Sequence, residues 1–103
     1  TDRHLVEAAL ERCGLTRYFS NIFTCTEVGS GKDSTEIFEL ALNHLGTKKS
    51  CTVVFEDALY AVRTAKSAGF TVIGVYDVHE FGNVRAEADI YVRSLEEVRD
   101  LID

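Results

Sequence analysis

The residues of this chain best suited to chemistry are two adjacent carboxylates and one lysine. Glu56 and Asp57 follow the apolar run Thr52-Val53-Val54-Phe55 directly, with no basic side chain beside them in sequence. Hard oxygen donors placed this way suit Mg²⁺, which takes one or two carboxylates and keeps several of its waters. The blander reading has Asp57 capping a helix that begins near Ala58, with Glu56 on the surface. Spacing alone favours neither. Lys32 comes after Gly29-Ser30-Gly31 at the start of another helix, where an anion could meet backbone N–H groups and an ammonium together. Standing alone, it would read as a solvated lysine in a flexible turn. A Walker-type phosphate loop does not fit. Its first glycine would fall on Thr26, and the residue after its lysine should be Ser or Thr, where this chain has Asp33.

The elements that must position these groups follow from periodicity. The run from Thr52 to Phe55, a helical segment closing on Gly69, and a second apolar run from Phe70 to Tyr76 read as strand, crossover helix and parallel strand. Open parallel sheets place ligand sites beyond the carboxyl ends of their strands, where Glu56 and Asp57 fall. Asp77, at the end of the second run, could line the same rim, although a turn-forming aspartate is the commoner case. Upstream, residues 2–12 carry Leu5, Val6, Ala9 and Leu10 at helical spacing, and Ile22 to Cys25 reads as a short strand. Residues 34–45 form an amphipathic helix with Ile37, Phe38, Leu40, Ala41 and Leu45 on its buried face, capped by Ser34 or Asp33 and ended by Gly46. Residues 78–88 are a polar connection without clear periodicity. Ile90-Tyr91-Val92 is a last strand, and Ser94-Leu95-Glu96-Glu97 has the pattern of a capping box opening a final helix. Alternating helices and strands define an α/β domain with a mostly parallel sheet.

Bulk properties narrow the function. At 103 residues the chain is one domain at most, and 46% hydrophobic with 27% charged residues is a globular composition. A net charge of −6 argues against a nucleic-acid partner, and no apolar run approaches the roughly 20 residues needed to cross a bilayer. Cys13, Cys25 and Cys51 show no metal-finger spacing and read as small, buried or half-buried thiols in a reducing cytoplasm. His4, His44 and His79 lie on separate elements and read as surface groups. The chain opens on Thr1 and contains no methionine, so the expectation is a piece of a longer polypeptide.

Lys32 and the Glu56-Asp57 pair, in this order and on these elements, resemble two signatures of the haloacid dehalogenase-like hydrolase superfamily, in its β-phosphoglucomutase-like and phosphoglycolate-phosphatase-like branch. The family's third motif, G-K-P-x-P-x-x-F, corresponds to Gly31-Lys32-Asp33-Ser34-Thr35-Glu36-Ile37-Phe38. The fourth, F-E-D-S-x-x-G-x-x-A-A-x-x-A-G, corresponds to the segment from Phe55 to Gly69. The resemblance covers nearly the whole chain and implies the carboxy-terminal part of a Rossmann-like three-layer core, incomplete in this chain. It implies a Mg²⁺-dependent phosphatase or phosphomutase that acts on a small phosphorylated metabolite through an aspartyl-phosphate. Asp57 would be the metal ligand, Glu56 a supporting ligand, and Lys32 the catalytic cation that balances phosphoryl charge.

The departures are specific. The D-x-D-G-T segment that carries nucleophile and acid/base is absent, since the last acids, Asp100 and Asp103, sit on a terminal helix. Thr1 is a weak counterpart of the family's second motif. Both prolines of motif three are replaced, by Asp33 and Thr35, and Ala58 and Ala61 stand in motif four for Ser and Gly. The expected partner is therefore the remainder of the same polypeptide, which would supply the nucleophile, and these residues alone are expected to be inactive. Without the strands that lie between its own in the family's sheet, the chain should expose apolar strand edges. The alternative is a non-catalytic α/β module with a binding or regulatory role. A receiver-like domain also pairs an acid cluster with a lysine, but there the acids precede the lysine.

Overall fold

Three parallel strands, β1 (Val53–Glu56), β2 (Thr71–Val75) and β3 (Ile90–Val92), form a sheet in the order β1-β2-β3. The computed structural model describes residues 1–80 and 82–102, so Asp103 lies outside the described residues. Strand β2 is the middle strand, and Val72, Ile73 and Gly74 are all buried, the near-continuous apolar pattern of a strand covered on both faces. Around the sheet run α1 (Arg3–Arg12), α2 (Cys25–Val28), α3 (Glu36–Leu45), α4 (Leu59–Ser67), α5 (Val84–Glu87) and α6 (Val98–Ile102).

The core forms where α4 crosses from β1 to β2. Val62, Ala65, Phe70, Val72 and Val84 are its buried centre, with Phe38, Leu42, Val54, Leu59 and Tyr91 packed around them. Ala61, Val62 and Ala65 repeat at helical spacing and are fully buried, which turns one stripe of α4 onto the sheet. Ala61 therefore fits where the family motif carries glycine. Gly74 is required by close approach: a Cβ there would lie 2.7 Å from Val84 Cγ1 and 2.9 Å from Ala88 Cβ. Asp89 ties the elements together on the far side. Its carboxylate accepts from the Val72 N–H at 2.8 Å and from Lys66 Nζ at 2.6 Å, which holds its pKa below the usual range.

Several expectations need correction. Ile22 to Cys25 is not a strand: residues 21–24 run without ladder partners among the described residues, and Cys25 already opens α2. A strand exists only by pairing. Here Thr24 caps α2 by accepting from the Glu27 N–H, and the Ile22 carbonyl accepts from Arg3 Nη2 at 2.7 Å. Residues 78–88 contain α5, capped by Asn83, a helix too short to show a period. Leu40 and Leu45 are exposed, and Phe38 and Leu42 carry the contact of α3 with the core. The α3 cap falls on Thr35, next to Ser34, whose hydroxyl accepts from the Glu36 N–H at 3.4 Å. The capping box closes only in part: Glu97 accepts from the Arg93 N–H, Ser94 makes no cap hydrogen bond, and a 3-10 turn (Leu95–Glu97) precedes α6. Cys13 and Cys51 are exposed rather than buried.

Candidate active site at the carboxyl ends of β1 and β2

Glu56 is the last residue of β1 and is only 6% exposed. The strand's alternation turns it to the same face as Val54, toward the first turn of α4. Burying a carboxylate without partners would cost several kcal/mol, roughly. The chain satisfies both of its oxygens. Lys32 Nζ donates to Oε2 at 2.9 Å, while the N–H groups of Asp57 and Ala58 donate to Oε1 at 3.1 and 3.3 Å. Burial pushes the Glu56 pKa up, and Lys32 with the backbone donors outweighs it, so the net direction is down. Burial likewise lowers the Lys32 pKa, and the Glu56 carboxylate more than offsets it, so the ammonium is held.

Lys32 reaches this position because Gly29, in the left-handed conformation at φ +86°, ends α2 and reverses the chain ahead of α3. The turn from Gly29 to Thr35 then delivers the lysine across 24 residues of sequence onto β1.

Asp57 borders two openings. It lines a small hollow of about 130 Å³ with Asp77, Glu80, Asn83 and Arg85. It also lines a wider opening that Lys32, Glu56 and Asp77 share. Asp57 and Asp77 face both openings together. Hydrogen bonding to Glu56, burial and then Asp77 raise the Asp57 pKa, whereas the His79 N–H at 2.9 Å lowers that of Asp77. Asp77 thus makes its turn and also faces the site. The cap that sequence offered to Asp57 belongs to other side chains: Glu56 takes the Ala58 N–H, and Glu80 takes the Leu59 N–H at 3.1 Å.

Among the described residues no group of three or more His, Cys, Asp or Glu side chains is arranged to hold a metal. Asp57 and Asp77, two hard carboxylates lining one hollow, are nonetheless a donor set that a divalent cation fits, since Mg²⁺ needs one or two carboxylates beside its waters. By this test the fitting pair is Asp57 and Asp77, whereas the Glu56 oxygens are engaged by Lys32 and backbone. Thr1 is exposed ahead of α1 and makes none of these hydrogen bonds. Glu80 escaped sequence reading because it lies in a segment without period. Asp77 does line the rim, the reading that sequence offered as second to a turn-forming aspartate.

A lysine and several carboxylates are thus gathered at the carboxyl ends of parallel strands in a Rossmann-like α/β fold. Comparison with known proteins agrees with this fold. The family model of haloacid dehalogenase-like hydrolases matches residues 1–69, and the chain belongs to that family. A provisionally named β-phosphoglucomutase of Thermotoga maritima superposes with a TM-score of 0.84 at 31% identity, over 99% of this chain and 48% of its own. A phosphatase of the same superfamily from Thermococcus onnurineus gives 0.78 at 30% identity, over 90% and 43%. A haloacid dehalogenase-like protein of unknown function from Agrobacterium tumefaciens shares the fold, at 0.84 and 22% identity, over 99% and 50%. The chain spans about half the length of these solved structures. A search of curated proteins found no significant match. Among the described residues no helix is long and apolar enough to cross a membrane.

Proposed function

We propose that these residues form part of the active site of a Mg²⁺-dependent phosphatase or phosphomutase for a small phosphorylated metabolite. The observation that carries the reading is the presentation of Lys32 by the buried Glu56 at 2.9 Å, in an opening that Asp57 and Asp77 also line. The names of the similar proteins, a β-phosphoglucomutase and a phosphatase, support the reaction class.

Phosphoryl transfer needs little covalent help from its surroundings beyond charge balance and position. In this reading a nucleophilic aspartate outside these residues attacks phosphorus. The bond from phosphorus to the ester oxygen breaks, and the leaving oxygen takes up a proton. Attack by water, or by a sugar hydroxyl in a mutase, then frees the aspartate. Lys32 lies beside the transferred group and offsets its charge. Glu56 supports the site from behind, fixing the ammonium and the Asp57-Ala58 turn. Asp57 and Asp77 would hold Mg²⁺, which when bound supplies Lewis-acid stabilisation of phosphoryl oxygens.

The test is Asp57→Asn in the complete polypeptide. Mg²⁺-dependent hydrolysis of a generic phosphomonoester should fall at least about 100-fold, the scale of losing a group that acts on developing charge. Full activity in the variant would remove Asp57 from the site. If the unaltered protein binds neither Mg²⁺ nor a phosphate analogue by calorimetry, a non-catalytic module replaces the enzyme.

A further inference from the structure

We propose that Glu80 is a positioning residue that locks the turn carrying Asp77 onto the turn carrying Asp57. Its two oxygens serve separate backbone segments. Oε2 accepts from the Leu59 N–H at 3.1 Å, and Oε1 accepts from the Gly82 N–H at 2.7 Å. Leu59 opens α4 two residues after Asp57, and Glu80 follows Asp77 by three residues, with its own N–H donating to the Asp77 carbonyl at 3.1 Å. One carboxylate therefore spans the ends of β1 and β2.

A second observation supports the seating independently of the hydrogen bonds. A Cβ on Gly82 would fall 2.5 Å from Leu59 Cδ2 and 2.9 Å from Leu59 Cβ, so this loop lies directly on the first turn of α4. A helix leaves its first N–H groups without internal partners, and a negative charge there gains from the helix dipole. Glu80 satisfies that demand from the loop side, which couples helix capping to loop position. With the loop released, Asp77 would lose its fixed place beside Asp57. The consequence for cation affinity rests on the Mg²⁺ reading above, but the positional claim does not.

The experiment compares the complete wild-type polypeptide with its Glu80→Ala and Glu80→Gln variants by amide hydrogen exchange, amide resonances and calorimetric Mg²⁺ titration. In Glu80→Ala the Leu59 and Gly82 amides should exchange at least about tenfold faster while those of β2 keep their protection. The Asp57 and Asp77 amide resonances should move, and the Mg²⁺ Kd should rise about tenfold, the usual scale for losing a group that orients metal ligands. Glu80→Gln keeps one acceptor oxygen and should fall between. A folded Glu80→Ala with unmoved Asp57 and Asp77 resonances would overturn the proposal. Changes in both variants that only track loss of β2 protection would also overturn it, since Glu80 would then be a general stabilising group. If the complete wild-type polypeptide binds no Mg²⁺, the cation reading fails, and the clamp is judged on the resonances alone.

Discussion

The two sides of β1 differ sharply. On its inner side the strand pairs with β2, Val54 packs against the core, and Glu56 is buried with all its oxygens bonded. On its outer side no strand pairs with it among the described residues, and Val53 and Phe55 are 45% and 46% exposed. Phe55 lies in a shallow apolar hollow with Phe19, Leu95 and Val98. Edges of this kind are normally covered or made charged. The inner side is over-determined by pairing, packing and ion pairing, whereas the outer side is left open among the described residues. The similar Thermotoga maritima structure is about twice as long as this chain.

Gly74→Ala should give the largest effect on the inner side. The added methyl would sit 2.7 Å from Val84 and 2.9 Å from Ala88, on a buried strand with no room to relax. Overpacking of this kind costs about 1–3 kcal/mol, and the upper end is expected because both neighbours belong to the short α5 and its end. Chemical denaturation should show it as a lower midpoint with unchanged slope. A loss below about 0.5 kcal/mol would mean that α5 is less firmly seated than its contacts indicate.

Lys32→Met comes next, and it tests whether the ion pair stabilises as well as serves chemistry. Breaking a fully buried pair costs about 3–5 kcal/mol. Lys32 is 40% exposed, and Glu56 keeps its backbone donors, so about 1–2 kcal/mol is expected here after screening. The pH dependence has a definite sign. Glu56 titrates below its ordinary 4.5, so its share is present above that value and is lost as pH falls through the depressed pKa. Lys32 titrates above its ordinary 10.5, so its share is present below that value and is lost as pH rises further. The stability gap between wild type and Lys32→Met should stay flat between about pH 5 and 10 and narrow outside it. A gap that varied across neutral pH would point to another titrating partner.

The same contrast explains what could be read from sequence. The β1-α4-β2 unit was legible because its signals are local: an apolar run, a helical stripe, a terminating Gly69 and a second run. Lys32, Glu56 and Asp57 could be picked out by residue type and spacing, but that Lys32 bonds Glu56 is a long-range fact without local trace. Ile22 to Cys25 misled because apolar character records strand propensity and not whether a partner is present. Asp77 was legible only as a possible rim residue behind its commoner turn role, and Glu80 was not legible at all. Their turn and loop signals are genuine, and the second role arises only when α4 and the loop after β2 meet.

The smallest effects should come from the outer side, and they separate the chain from a longer polypeptide. Val53→Thr keeps shape and strand propensity at a half-exposed position, so its cost in this chain should stay under about 0.5 kcal/mol. Val54→Thr, one residue on and turned toward the core, adds an unpartnered hydroxyl and should cost about 1–3 kcal/mol. Denaturation of both variants would show the alternation directly. Equal costs would mean that the outer face is already packed. Repeating the pair in the complete protein sharpens the point. If further elements cover the face carrying Val53 there, Val53→Thr should rise toward the cost of Val54→Thr. The concentration-dependent association expected of this chain in sedimentation, which Val53→Lys should reduce, should then disappear. Unchanged costs in the longer protein would leave the outer side of β1 a surface in its own right.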